Sequence, residues 1–366
     1  MFGQKRIPSK EGGVEVVVAE LATRMSAFGH SVTCYNRKGH HVAGWEYDTN
    51  KLTEYKGVKL KATPTINRRG LAAASSSFFS AVSIAFGKYD IVHIHSEGPA
   101  FFSFIPKMFG KKVIVTIHGL DWGRAKWGGV ASQCIKAGEK SAVKFADEIV
   151  VLSCSMQEYF WKTYKRETKL IPNGVNKSDV VEVKDIKKWG LEKNGYVLYL
   201  GRIVPEKGAH YLIKAWKDIS ADKKLVIAGG SSDTDAYLSE LKELAGDDGR
   251  IIFTGFVQGR ILEELYSNAY VYCLPSDLEG MPLSLLEAMS YGNCCLTSDI
   301  AECAEVVEDK AVLFQKSDVD DLKEKLVWLM SHEAEVEKYK MEAADFITNK
   351  YRWDDVVKRT LNLYEF

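Results

Sequence analysis

The residues best suited to chemistry fall in short stretches that follow apolar runs. In one of them Glu279 is followed by Gly280, Met281, Pro282 and Leu283, and Glu287 comes soon after. Pro282 fits the first position of a helix over 284–291, and Gly292 fits its stop. Unpaired backbone N–H groups at such a start, with a glycine beside them, suit an anion. Glu287 would then stand roughly 7–8 Å along the helix axis, where a carboxylate accepts hydrogen bonds from sugar or ribose hydroxyls. A ligand with a diphosphate at the helix mouth and hydroxyls at both ends matches that spacing. A capping glutamate and a solvated helix glutamate account for the same residues equally well while the stretch stands alone. A second stretch, Gly201-Arg202-Ile203-Val204-Pro205-Glu206-Lys207-Gly208, offers a forked guanidinium and a point charge, both apt for phosphate oxygens. Gly229-Gly230-Ser231-Ser232 lets backbone approach a ligand closely, and 299–305 is a fourth loop of the same kind.

Elements must hold these loops in place. The chain alternates strand-like and helix-like runs, so parallel sheets covered by helices on both faces are expected, an α/β doubly wound arrangement. Strands are expected over 31–36, 90–95, 112–117 and 148–152 in the first half. In the second half they are expected over 196–200, 224–228, 250–254, 270–274 and 294–297. Helices are expected over 13–28 and 127–145. A chain of 366 residues exceeds one ordinary core. We expect an N-terminal domain over 1–172 and a C-terminal domain over 173–348, with Pro172-Asn173-Gly174 read as a turn at their boundary. A helix over 349–366, carrying Trp353, Val356, Val357, Leu361 and Tyr364, is expected to cross between them and pack back on the N-terminal domain. Ligands of such sheets bind beyond the carboxyl ends of the strands, so two domains facing each other along those edges would form a cleft. Only Met1-Phe2-Gly3 precedes the loop over 4–12, so the first strand is expected to be clipped.

Net charge is zero, with 49 Lys and Arg against 49 Asp and Glu, but the halves differ. Residues 1–176 hold 25 basic against 14 acidic groups, a net +11, and the remainder balances this. Basic surface favours phosphates or an anionic membrane face. Arg68-Arg69-Gly70, the run over 71–86 and Lys107 to Lys112 supply basic and apolar surface for the latter, although ordinary helix faces explain them as well. The seven cysteines include no Cys-x-x-Cys pair and read as small buried hydrophobes in a reducing compartment. No run has the length of a membrane span. The expected location is the cytoplasm, with peripheral association at the inner membrane face. No His, Cys or carboxylate cluster has metal-ligand spacing, so no metal and no other cofactor is expected. Asp233-Thr234-Asp235 reads as a helix N-cap.

The chain resembles family 4 of the retaining glycosyltransferases, with the GT-B architecture of two facing Rossmann-like domains. The resemblance rests on Pro172-Asn173-Gly174-Val175, Gly201-Arg202 with Lys207-Gly208, and Glu279-Gly280-x-Pro282 with Glu287-Ala288. In the first half it rests on Glu11-Gly12-Gly13 and Thr116-Ile117-His118-Gly119. The loop over 6–13 and His118-Gly119-Leu120-Asp121-Trp122 also look like the rhamnosyltransferase-type branch.

The resemblance implies transfer of a sugar from a nucleoside-diphosphate sugar to a sugar hydroxyl, in cell-surface polysaccharide or glycolipid synthesis. The implied partners are that donor and a carbohydrate or lipid-linked acceptor, with no nucleic acid. Arg202 and Lys207 would hold the donor diphosphate, and Glu287 the ribose. Glu279 and the backbone of Gly280, Met281, Pro282 and Leu283 would hold the transferred sugar and its phosphate. His118 would touch that sugar, while Gly12 and Gly13 would line the phosphate and acceptor side. Asn173, Gly201 and Gly229 complete the donor set. Glu279, His118, Arg202 and Lys207 are the expected catalytic group. Asp121, Trp122 and Arg124 are expected on the acceptor side, or else form a helix start with packed aromatics. His93 and His95 read as core or strand-edge histidines. A nucleotide-sugar epimerase of the same fold and a non-catalytic nucleotide-sugar binder are the rival readings. The intact charge clamp argues against the binder.

Overall fold

The computed structural model describes all residues except 10, 39–51, 67, 69–70, 124–128, 231–233 and 366, together with the side chains of 130 and 131. Arg69, Gly70, Arg124, Ser231, Ser232 and Asp233, named above, lie outside the described residues. The chain divides into two compact units, Met1–Gly174 with Trp353–Phe366, and Val175–Arg352. The expected divisions at 172 and 348 fall two and four residues earlier than these.

In the first unit, β1 (Thr33–Arg37), β2 (Glu54–Tyr55) and β3 (Val58–Thr63) form one group in the order β1-β3-β2. A second group, β4 (Ile91–His95), β5 (Lys112–Ile117), β6 (Glu148–Val151) and β7 (Lys169–Leu170), is parallel throughout. Val113, Ile114, Val115 and Ile117 of β5 are all fully buried, as a parallel strand covered on both faces requires. The segment Met1-Phe2-Gly3 joins the two groups. Tyr35 N donates to Met1 O at 3.0 Å, Phe2 N to His93 O at 3.1 Å and His95 N to Phe2 O at 2.9 Å. Gly3 sits at φ +118°, where an added Cβ would lie 2.0 Å from His95 O. The three residues therefore act as the central strand of the unit, short as they are.

The hairpin β2–β3 was not expected from the sequence. Its signal is the alternation of buried Val58 and Leu60 with exposed Lys59 and Lys61. Its turn places both Lys56 (φ 47°) and Gly57 (φ 80°) in the left-handed region, the conformation that two-residue hairpin turns favour.

The helix Trp353–Asn362 is shorter than expected and belongs to the first unit. Trp353 lies under the Arg24 guanidinium at 5.7 Å, and Asp354 pairs with Arg24 at 3.8 Å. Gly174 has no room for a Cβ, which would meet the Trp353 ring at 2.5 Å. Pro172-Asn173-Gly174 thus forms no turn, and its glycine permits this packing.

The second unit is one parallel sheet in the order β10-β9-β8-β11-β12-β13. These are β8 (Tyr196–Leu200), β9 (Lys224–Ala228), β10 (Ile251–Gly255), β11 (Val271–Leu274), β12 (Cys294–Ser298) and β13 (Val312–Phe314). Its core gathers Trp216, Tyr199, Leu212, Leu225 and Leu326. Successive strands run outward from β8 in one direction and from β11 in the other. The point where that order reverses, between β8 and β11, is where a crevice opens beyond the strand ends in sheets of this kind. Among the described residues no helix is long and apolar enough to cross a membrane.

Candidate active site

Loops after β8, β9 and β11 meet at the reversal point of the second sheet. Their approach is set by backbone. Gly208 (φ +70°) lies so close to Pro275 that a Cβ would be 1.8 Å from its carbonyl oxygen. Gly229 (φ +150°) stands in the same relation to Gly201. Both glycines are required twice over, by conformation and by space. Further ties are Ile203 N donating to Gly230 O at 3.1 Å and Asp277 N to Glu206 O at 2.9 Å. The hydroxyls of Tyr199 and Tyr272 donate to Arg202 O at 3.0 Å and Leu200 O at 3.2 Å, pinning the end of β8.

Within this frame Lys207 Nζ lies 2.5 Å from Glu279 Oε1, and Ser276 Oγ donates to the same oxygen at 2.7 Å. The Lys207 and Glu279 side chains keep only 14% and 7% of their exposure, so each is held largely out of water. Such a charge is tolerated because its partner is in place. Lys207 was expected to meet a phosphate and Glu279 a sugar. In the structure they meet each other, and Lys207 has three N–H donors for this purpose, so the pairing does not use up its capacity. Ser276, not singled out from the sequence, orients the carboxylate.

Pro282 proves to be the N-cap of the helix Leu283–Ser290, with an extended ψ of 103°, and not its first residue. Gly280, Met281 and Pro282 are buried. Glu287 lies in the second turn of that helix. Tyr266 Oη donates to its Oε2 at 3.2 Å, and the Tyr266 ring stacks on Tyr291 at 5.3 Å. Burial, and after it the Glu287 charge, pushes the Tyr266 phenol well up, so it remains a donor. Thr234 holds the N-cap position of the helix Asp235–Ala245, but its hydroxyl donates to Ile203 O at 2.5 Å instead of capping. The expected capping role is therefore corrected: the hydroxyl ties two loops together. Among the described residues no group of three or more His, Cys, Asp or Glu is placed to hold a metal ion.

In the first unit Gly12 caps the helix Gly13–Ala27 with extended backbone, and a Cβ there would meet the Glu15 carboxylate at 2.5 Å. Glu15 accepts from Lys5 N at 2.8 Å. Arg37, pushed down by burial, feels the Glu15 charge and that of Arg6. Asn173 belongs to this unit and is buried. His118 follows β5 and is buried, with its Nε2 3.0 Å from His95 Nδ1. His93 stacks on His95 at 4.3 Å, and its two nitrogens lie 2.7 Å from Tyr364 Oη and 2.7 Å from Thr116 Oγ1.

Asp121 and Trp122 occupy a short 3-10 turn. Asp121 N donates to Glu97 Oε2 at 2.8 Å and Trp122 Nε1 to Glu139 Oε2 at 3.2 Å. Lys136 covers the Trp122 ring at 4.5 Å. Glu97 and Glu139 are both fully buried. Burial first, then the neighbouring Glu139, pushes the Glu97 carboxyl far above its usual range. Of the basic residues read as surface, Lys107 pairs with Asp147 at 2.5 Å and Lys111 donates to Gly87 O at 3.0 Å. Phe86, Met108 and Phe109 are the more exposed groups beside them.

The model of "Glycosyltransferase Family 4" matches residues 11–179, and that of "Glycosyl transferases group 1" matches residues 182–351. An uncharacterized glycosyltransferase of Methanocaldococcus jannaschii is 29% identical over 98% of this chain and 95% of its own length. O-antigen chain mannosyltransferase B of Escherichia coli is 27% identical over 49% of this chain and 48% of its own. Among solved structures, Anabaena HepE in complex with UDP and glucose superimposes with a TM-score of 0.81 at 16% identity, over 99% of this chain and 97% of that one. With a family model on each half and a relative aligned along nearly its whole length, the chain belongs to the family 4 glycosyltransferases and has the GT-B fold.

Proposed function

We propose that the enzyme transfers a sugar, with retention of configuration, from a nucleoside-diphosphate sugar to a hydroxyl of a carbohydrate or lipid-linked acceptor in cell-surface polysaccharide or glycolipid synthesis. The observation that carries this reading is the Lys207–Glu279–Ser276 cluster at the mouth of the helix Leu283–Ser290. Breaking the sugar–phosphate bond leaves an electron-poor sugar and an extra charge on the departing diphosphate. Arg202, Lys207 and the N–H groups near Gly280, Met281, Pro282 and Leu283 would stabilise that charge, a preorganised electrostatic effect. Glu279, already oriented, would accept from a sugar hydroxyl, and Glu287 from the ribose. Asn173, Gly201 and Gly229 complete the donor contacts in this reading, and His118, Gly12 and Gly13 take the roles the resemblance implied. No resident metal is needed in this scheme, because cationic side chains do the work that a metal would do. The O-antigen mannosyltransferase relative and the UDP- and glucose-bound fold relative support donor and acceptor classes of this kind.

The test is direct. The protein is incubated with UDP-, GDP-, ADP- and dTDP-sugars and with free or lipid-linked acceptors, and released nucleoside diphosphate is measured with and without a chelator. Turnover of one donor class, insensitive to chelation and abolished in Lys207→Ala, is expected. Failure of every donor to bind would sink the reading. Association with an anionic membrane is part of the same proposal. Pelleting with phosphatidylglycerol vesicles, weakened by salt and by Phe86→Ser with Met108→Ser, is the outcome expected.

A further inference from the structure

The pair His95–His118 carries a statement about chemistry that neither residue carries alone. His95 Nδ1 and His118 Nε2 are 3.0 Å apart, so one proton lies between two ring nitrogens and only one of the rings can own it. Two neutral arrangements satisfy this. In the first, His118 holds the proton on Nε2 and donates it, which forces the His95 proton onto its own Nε2. In the second, His95 holds it on Nδ1 and donates to His118, whose own proton then sits on Nδ1.

His95 Nε2 decides between them. It is buried and has no hydrogen-bond partner. The first arrangement would leave an N–H donor there with no acceptor, a rarer and more costly defect than an unused lone pair. Cationic forms of His95 and of the His93 ring beside it are disfavoured by the surroundings. His95 is fully buried, and the titratable groups acting on it are His93, His118 and the amino terminus of Met1. Burial holds His93 down at about 3 and His95 well below its ordinary value. No carboxylate is among the causes acting on either ring.

We infer that His95 is a positioning residue that fixes His118 as a neutral ring with its proton on Nδ1, so that His118 serves the reaction as a hydrogen-bond donor and not as a proton acceptor. A neutral Nδ1–H suits an oxygen lone pair, as on a sugar hydroxyl or phosphate. It adds no positive charge beside a sugar that is itself becoming cationic. With Nε2 taken by His95 and Nδ1 already protonated, His118 has no nitrogen left with which to remove a proton from an acceptor. This rests on the proposed function for the identity of the ligand. The tautomer itself does not.

Long-range 1H–15N spectra of the intact protein labelled at histidine, at pH 7.5, read the tautomer without any ligand. His118 is assigned by the signals missing in His118→Asn. The expected result is a protonated Nδ1 and an unprotonated Nε2 that do not titrate between pH 5.5 and 8. In His95→Leu the His118 signals should become a mixture of tautomers and titrate. His95→Asn, which places an amide N–H where Nδ1 was, should restore the single form. With the donor sugar identified by nucleoside diphosphate release, His95→Leu should lower kcat by about tenfold, the worth of one hydrogen bond, and His95→Asn should recover most of it. A His118 proton on Nε2, a wild-type His118 that titrates near its ordinary value, or unchanged His118 signals in His95→Leu would each overturn the inference. Absence of turnover with every nucleotide sugar would overturn the proposed function and leave the spectra standing.

Discussion

Lys207, Glu279 and Ser276 meet as charges and dipoles beyond β8 and β11, whereas His93 and His95 on β4 meet His118, just after β5, as a cluster of rings. Both clusters are withdrawn from water, and they solve the same problem differently. A lysine and a glutamate keep their charges under burial only as partners, so each is the condition for the other. Imidazoles can give up their charge, and what remains to be arranged is where the last proton sits. The second unit thus holds a field, and the first holds an orientation.

The largest effect should come from breaking the field. Lys207→Met leaves Glu279 buried without its counter-charge and removes a donor from the proposed diphosphate site. Turnover should fall by roughly 10²–10³, about 3–4 kcal/mol in the barrier, as read by nucleoside diphosphate release. Lys207→Arg should recover only part of it, since the 2.5 Å contact leaves little room for a planar fork. Next comes the frame that holds the field. Gly229→Ala asks for a Cβ 1.8 Å from Gly201 O at φ +150° and should cost about 1–3 kcal/mol in denaturant unfolding, with donor binding lost in step.

The neutral cluster is sharpened by acid. His93 folds with a value near 3 against 6.5 unfolded, so the unfolded chain binds the extra proton between those limits. Stability should therefore fall as pH drops from about 6.5 toward 3, by roughly 1 kcal/mol per unit for this group. His93→Gln should flatten the slope of melting temperature between pH 6.5 and 4.5. A slope unchanged in that variant would mean the rings are not neutral by burial. The smallest effect is expected at Tyr266. Tyr266→Phe removes the hydroxyl that steadies Glu287 and should raise the donor KM about tenfold or less, near 1 kcal/mol, with kcat little changed.

The charged cluster was largely legible in the sequence and the neutral one was not. Arg202, Lys207, Glu279 and the glycines beside them are residue types that a fold seldom needs directly after buried strands, so their presence stood out. Ser276 and Tyr266 did not, because a serine after a strand and a tyrosine in a helix look like packing. The pairing of Lys207 with Glu279 spans a distance in sequence that no periodicity reports. His95 was read as a core or strand-edge histidine, and of these two it is the buried one. Its bond to His118 depends on the register in which Ile94 faces Val115 and His95 faces Thr116, which only the folded sheet defines. Likewise, the short segment at Phe2 shows its role only when β1 and β4 stand on either side of it.

The two crossings between units have an implication for lineage and for engineering. Val175 N donates to Tyr351 O at 2.8 Å, and Val175 bridges Arg352, so Val175–Arg352 begins and ends at one spot. A segment whose two ends are neighbours can be lifted out, closed on itself or exchanged without stretching what remains. The second unit of this chain is in that sense a cassette. Exchanging it between relatives would need two joints made at a single place, with Gly174 and Trp353 kept on the recipient side to seal them.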